Sequence, residues 1–267
     1  MKNQKGLTLV ELMIATLIGL FLMASLANLL ITTNKSVTLS EALAHNQESG
    51  RFAMSFMTGF IRLAGYTDDF TVANPPILIN TGSTPCIPQA CSANNPTDKG
   101  DRLAVTYVAD AIQTTTSCAG TIVGGPVNGQ QQIANVFWVS NDLATLNELQ
   151  CRTYDYENDV WIDNAPVSIV ANVESFEFQV GISAATTNRS AARYVNIDTI
   201  INASELLNNV RSVRIALLTS SQDIDPDKVQ STQRSREYIV LDGPIITTAA
   251  NDSNLRQIFS NTIELPG

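Results

Sequence analysis

The first sixty-odd residues divide by hydrophobic pattern into two halves. From Leu12 to Ile31 almost every position is apolar, and no charged residue occurs between Leu12 and Asn34. A run of about 20 apolar residues spans a bilayer core as one helix. Beyond Lys35 the pattern turns mixed and polar over Val37–Ser49, then amphipathic. Ala53, Phe56, Met57, Phe60, Ile61 and Ala64 recur at helical spacing, with Arg51, Ser55, Thr58 and Arg62 elsewhere around the turn. No proline precedes Pro75, and Gly65 stands where a C-cap belongs. The pattern predicts one helix from Leu7 to Ala64, about 85 Å long at about 1.5 Å per residue. Its first half belongs in lipid or a filament core, and its second half lays one face on a sheet. Gly19 is a soft spot, since glycine costs a helix about 1 kcal/mol.

After Asn74-Pro75-Pro76 the period changes. Seven segments rich in Val, Ile, Phe and Tyr read as strands: Arg102–Val108, Ile133–Ser140, Glu148–Tyr154, Ser175–Ile182, Ser212–Thr219, Glu237–Leu241 and Leu255–Glu264. Phe176, Phe178 and Val180 alternate with Glu177 and Gln179, as a half-buried strand requires. Gly124-Gly125-Pro126 marks a turn, Asn128-Gly129 a hairpin, and Ala203–Val210 a short helix. A long helix followed by many strands predicts an α+β fold, the helix packed on an antiparallel sheet.

Composition narrows the surroundings. The 267 residues are 44% apolar, with much of that in the first helix, and the formal net charge is −9. No basic stripe offers a nucleic-acid surface. Four cysteines and one histidine favour disulfides over a metal site. Three pairings of Cys86, Cys91, Cys118 and Cys151 exist. Proximity favours Cys86–Cys91, stapling a proline-rich loop, and Cys118–Cys151. Disulfides imply an oxidising compartment.

The N-terminus carries the sharpest chemistry. Lys2 and Lys5 precede the apolar run and predict that this end stays cytoplasmic while the rest is translocated. Glu11 stands at the edge of the apolar run, where a carboxylate costs about 2.5–3.5 kcal/mol near the bilayer centre unless it is paired. Cleavage after Gly6 would place a new cationic amine on Leu7, four residues from Glu11. Glu11 of one subunit could then neutralise the Leu7 amine of a neighbour and set an axial register. An ordinary secretory signal ending at Ser25-Leu26-Ala27 fits less well, because the apolar run is too long and opens on a glutamate.

The run Lys5-Gly6-Leu7-Thr8-Leu9-Val10-Glu11-Leu12 resembles the prepilin signal of type IV pilins and type II secretion pseudopilins. The resemblance implies a peptidase cut between Gly6 and Leu7, N-methylation of Leu7, and an assembly role for Glu11. Leu7 departs from the commoner phenylalanine. Further segments resemble the PilW family of minor pilins: Gly50–Tyr66, Asp101–Val105, Ser117–Gly120, Val173–Phe176, Val213–Leu218 and Arg256–Ser260. Membership would imply a leader over 1–6, a membrane and filament-core helix over 7–33, and an extracytoplasmic pilin domain over 34–267. It would imply a non-enzymatic subunit that primes pilus assembly and sits in a tip complex. The expected partners are other minor pilins, the major pilin, the prepilin peptidase, the inner-membrane assembly platform, in some members a tip adhesin, and membrane lipid before assembly. The expected path runs from a single-pass place in the bacterial inner membrane to the pilus. A type II secretion pseudopilin is the alternative, and a membrane-anchored periplasmic enzyme or binding module is a third. No P-loop, Gly-x-Ser-x-Gly, HExxH or strand-borne GxGxxG occurs, so neither a catalytic residue nor a cofactor is expected. Asp223, Asp225 and Asp227 alternate, but the run lacks the glycine and glutamate of a calcium loop and predicts no metal.

Overall fold

The computed structural model describes residues 8–67, 74–80, 86–97, 99–112, 114–140, 147–221, 235–249, 252 and 254–266. The predicted helix is α1 (Leu9–Ile61), 53 residues without interruption. Leu9 to Val37 are exposed, about 44 Å of bare helix at about 1.5 Å per residue. The fully buried positions of α1 are Asn46, Gly50, Ala53, Met54, Met57 and Ile61. The helix ends at Ile61 rather than Ala64. Gly65 lies past its final turn at φ +78°, and its N–H donates to the carbonyl of Thr106 at 2.9 Å. A left-handed glycine there turns the chain onto the sheet.

The strands are β1 (Ala93–Thr97), β2 (Gly100–Ala109), β3 (Thr114–Thr116), β4 (Ile122–Gly124), β5 (Gln131–Val139), β6 (Leu149–Asp155) and β7 (Val160–Trp161). They continue as β8 (Val167–Val170), β9 (Val173–Ile182), β10 (Arg193–Val195), β11 (Val210–Ser220), β12 (Glu237–Tyr238), β13 (Ile246–Thr247) and β14 (Arg256–Glu264). The main sheet runs β14-β11-β9-β2-β5-β6-β7, with β1 on β2, β10 on β9 and β8 on β6. Each of the seven predicted strands has its counterpart, although Glu237–Leu241 shrinks to β12. The Asn128-Gly129 hairpin does not form. Gly125–Asn128 is a single helical turn, α2, β4 pairs back on β3, and β5 pairs with β2 and β6. The helix predicted over Ala203–Val210 is a 3₁₀ helix at Ser204–Asn209, and the α-helix α3 (Ile197–Asn202) precedes it unpredicted.

The second half of α1 docks where its small residues permit close approach. A Cβ at Gly50 would lie 2.2 Å from a ring carbon of Phe259 on β14, so the ring occupies space that only glycine leaves. Asn46 donates to the carbonyl of Leu255, and Asn261 donates to the hydroxyl of Thr58. Between these polar anchors Ala53, Met57, Ile61 and Ala64 enter the core formed by Leu103, Phe137, Phe176, Phe178, Ile215 and Leu217. A large apolar side chain fully buried in this way contributes about 1.5–3 kcal/mol.

The sheet is two antiparallel halves joined by one parallel contact, Gly100 opposite Phe176. The sequence pattern predicted an antiparallel sheet and held no sign of this join. Gly100 (φ +103°) would set a Cβ 2.2 Å from the Phe176 carbonyl, so the strands meet only because glycine is there. The carboxylate of Asp101 accepts the Phe178 N–H at 3.0 Å, where a ladder carbonyl would otherwise serve. Glu177 lies beside it, 1% exposed, under the turn at Gly243. Burial, followed by the Asp101 carboxylate, pushes the Glu177 carboxyl well above the ordinary range, so it is protonated at neutral pH and hydrogen-bonds Asp101.

Disulfides join Cys86 to Cys91, with Cα atoms 5.8 Å apart, and Cys118 to Cys151, 6.2 Å apart. These are the pairs that proximity favoured. The second bridge ties the turn after β3 to β6 beside a buried polar cluster. There Asp163 accepts from Thr153 N–H and from the hydroxyls of Ser117 and Thr121. Constraining its longer loop stabilises the fold by about 3–4 kcal/mol in the chain-entropy account.

Two outcomes are expected. Gly50→Leu forces the Phe259 ring off α1 and costs about 1–3 kcal/mol as overpacking; unchanged thermal unfolding of the full chain in detergent would refute this docking. Glu177 favours folding only while protonated. Stability is therefore greatest below the ordinary carboxylate range and falls as pH climbs toward the raised folded value. Glu177→Gln should flatten that decline and raise the melting temperature above neutral pH, as scanning calorimetry across pH will show.

Candidate functional site

The site best defined by structure is the bare half of α1. Its first turn is closed by a capping box. The Thr8 hydroxyl oxygen accepts the Glu11 N–H, and the Glu11 carboxylate accepts the Thr8 N–H at 3.0 Å. Orphan donors at a helix start need such partners, most of all where water is scarce. Glu11 thus has a local task that the sequence reading overlooked, although Thr8-x-x-Glu11 is a legible signal. Gly6 and Leu7 lie outside the described residues.

The hydroxyl side chains along this half are satisfied within the helix. Thr16 donates to the Met13 carbonyl, Ser25 to Phe21, Thr32 to Asn28 and Thr33 to Leu29. A hydroxyl turned back on its own helix can enter an apolar medium without an unmet bond. Leu12, Ile14, Leu17, Phe21, Leu26 and Leu30 are each more than half exposed. The helix is long and apolar enough to cross a membrane. A Cβ at Gly19 would meet nothing within 4 Å, so no packing in this chain calls for glycine there.

The other sequence-derived candidates separate. His45 is exposed on α1. Asp223, Asp225 and Asp227, like Asp68-Asp69, lie outside the described residues, and no acidic, histidine or cysteine cluster suited to a metal occurs among those described. The scattered family-like segments converge. Gly50–Tyr66 carries the docking stripe. Asp101 and Phe176 build the sheet junction. Arg256 pairs with Glu174 at 2.6 Å and with Asp252 at 2.6 Å, fastening the start of β14 to β9. The two carboxylates hold its guanidinium more firmly protonated, although burial opposes them.

Two family models match parts of the chain. A model described as Type IV Pilus-assembly protein W matches residues 136–267. A second, the prokaryotic N-terminal methylation motif, matches residues 1–27. The chain is a type IV pilus minor pilin of the PilW family. Among solved structures, the type IV-like pilin TTHA1219 from Thermus thermophilus is similar to this PilW-family chain over 85% of its length and 97% of the other, at 15% identity and a TM-score of 0.44. No curated protein matches it.

The capping box is open to a direct check. Thr8→Val removes the hydroxyl acceptor at little change in shape and should cost the first turn about 1 kcal/mol. Amide exchange at Leu9–Glu11 in detergent should quicken about fivefold, and unaltered exchange would show that the cap is not formed.

Proposed function

We propose that this PilW-family pilin primes type IV pilus assembly and takes its place in the tip complex. The observation that carries the proposal is a helix of two characters on one axis. Its bare half requires an apolar surrounding that the chain does not supply, and its docked half fixes the globular domain to that axis. In a membrane, lipid supplies the surrounding and stores the subunit. In a filament, the same half of neighbouring subunits replaces lipid. Gly19, with no packing partner in its own chain, suits close approach by another helix.

In this reading residues 1–6 are a leader, the peptidase cuts between Gly6 and Leu7, and the new Leu7 amine is methylated. Residues 7–33 form the membrane and filament-core helix, with the N-terminus cytoplasmic. Residues 34–267 form the domain beyond the membrane, where an oxidising compartment matches the two disulfides. The Glu11 carboxylate, already oriented by Thr8, turns to the Leu7 amine of an adjoining subunit. Two charges that would each be costly in lipid become one neutral pair. The partners are other minor pilins, the major pilin, the peptidase and the inner-membrane platform, with an adhesin carried at the tip. The PilW match favours the pilus over a type II secretion machine.

Mass spectrometry of the native protein should find an N-methylated Leu7. Glu11→Ala should leave cleavage intact and lower incorporation into sheared pili by about tenfold or more, the effect of leaving a cation unpaired in an apolar core. Deletion should abolish piliation and leave exoprotein release unchanged; the reverse pattern would assign the protein to secretion.

A further inference from the structure

The sheet face turned away from α1 carries an open cavity of about 340 Å³, lined by Gln89, Arg102, Trp138, Arg152, Trp161 and Pro166. That volume is within the range of about 300–1,000 Å³ usual for ligand sites. The chain has two tryptophans, and both are here. Strand alternation places them. Leu103, Phe137 and Cys151 point into the core under α1, so their neighbours Arg102, Trp138 and Arg152 point outward. β7 brings Trp161 opposite Tyr154 at the sheet edge.

Both guanidiniums are held by backbone carbonyls rather than by acids. Arg102 donates through Nε to the Cys91 carbonyl at 2.7 Å and through Nη2 to the Pro88 carbonyl. It is thereby fastened to the loop that the Cys86–Cys91 disulfide closes. Arg152 donates through Nε to Asp163 and through Nη2 to Asn164, both at backbone carbonyls, and lies 4.4 Å from the Trp161 ring centroid. Neither has a carboxylate within ion-pair distance among the described residues. On a chain of net charge −9, two fixed cations with no ion-paired acid among the described residues stand beside two indoles and form a partly apolar pocket. Half-buried indole faces take the weakly positive C–H face of a ring. Guanidiniums of fixed orientation take a carboxylate through paired hydrogen bonds.

We infer that this cavity binds an acidic saccharide, a pyranose lying on Trp138 with its carboxylate on Arg102 and Arg152. The inference does not depend on cleavage, register or tip position. It uses a face that points away from the helix, where a subunit held by α1 presents its surface outward.

Because the tryptophans of the chain both line the cavity, intrinsic fluorescence of the full chain in detergent reports on it. Titration with glucuronic acid should give a saturable change at concentrations about tenfold below those needed for glucose or acetate. Trp138→Leu and Arg102→Gln should each weaken the response by about tenfold. Arg102 also fastens the disulfide loop, so Trp138→Leu, with melting unchanged, is the deciding variant. No saturation with glucuronic acid would overturn the proposal. So would an equal response to acetate, which marks a small-anion site only, or wild-type binding by folded Trp138→Leu.

Discussion

One helix in this protein serves two surroundings, and the docking of its second half makes that arrangement work. Gly50 against Phe259 sets the closest approach, and Ala53, Met57 and Ile61 follow at helical spacing into the sheet core. Because α1 runs unbroken from Leu9 to Ile61, fixing the second half also fixes the direction of the first. The apolar half is then a rigid extension of the domain rather than a separate anchor. Gly19, the residue most apt to bend it, lies within the bare half.

The sheet is held together through its weakest-looking feature. Its two antiparallel halves touch at a single parallel pair, Gly100 and Phe176, yet side chains reinforce that contact. Asp101 supplies an acceptor to the Phe178 N–H, and a neutral Glu177 bonds to Asp101. Burying two carboxyl groups side by side is tolerable only while they share a proton. The junction gains a specific geometry and becomes sensitive to alkali.

The two sheet faces have separate work. One lies against α1 and is apolar. The other is covered in patches, by the Cys86–Cys91 loop over Leu78, Ala104 and Tyr154 and by the β12–β13 pair over Ala216 and Leu218. Between such covers Trp138 and Trp161 remain half-buried beside two arginines. That part of the face is aromatic and cationic on an acidic protein.

The sequence by itself determined the long helix and the six long strands of the main sheet, because periods of about 3.6 and 2 are local properties of the chain. The prepilin-like octapeptide and the favoured cysteine pairs were equally local. The strands β7, β8 and β10 are too short for a period to register, and they exist because a longer neighbour offers a partner. The Thr8–Glu11 cap was legible and overlooked. Only the tertiary structure decided that Asp101 and Glu177 meet at one junction, that Gly50 makes room for a ring 209 residues later in the chain, and that both tryptophans meet two arginines. Those contacts join residues far apart in sequence, and no local pattern encodes which distant side chain will fill a given space.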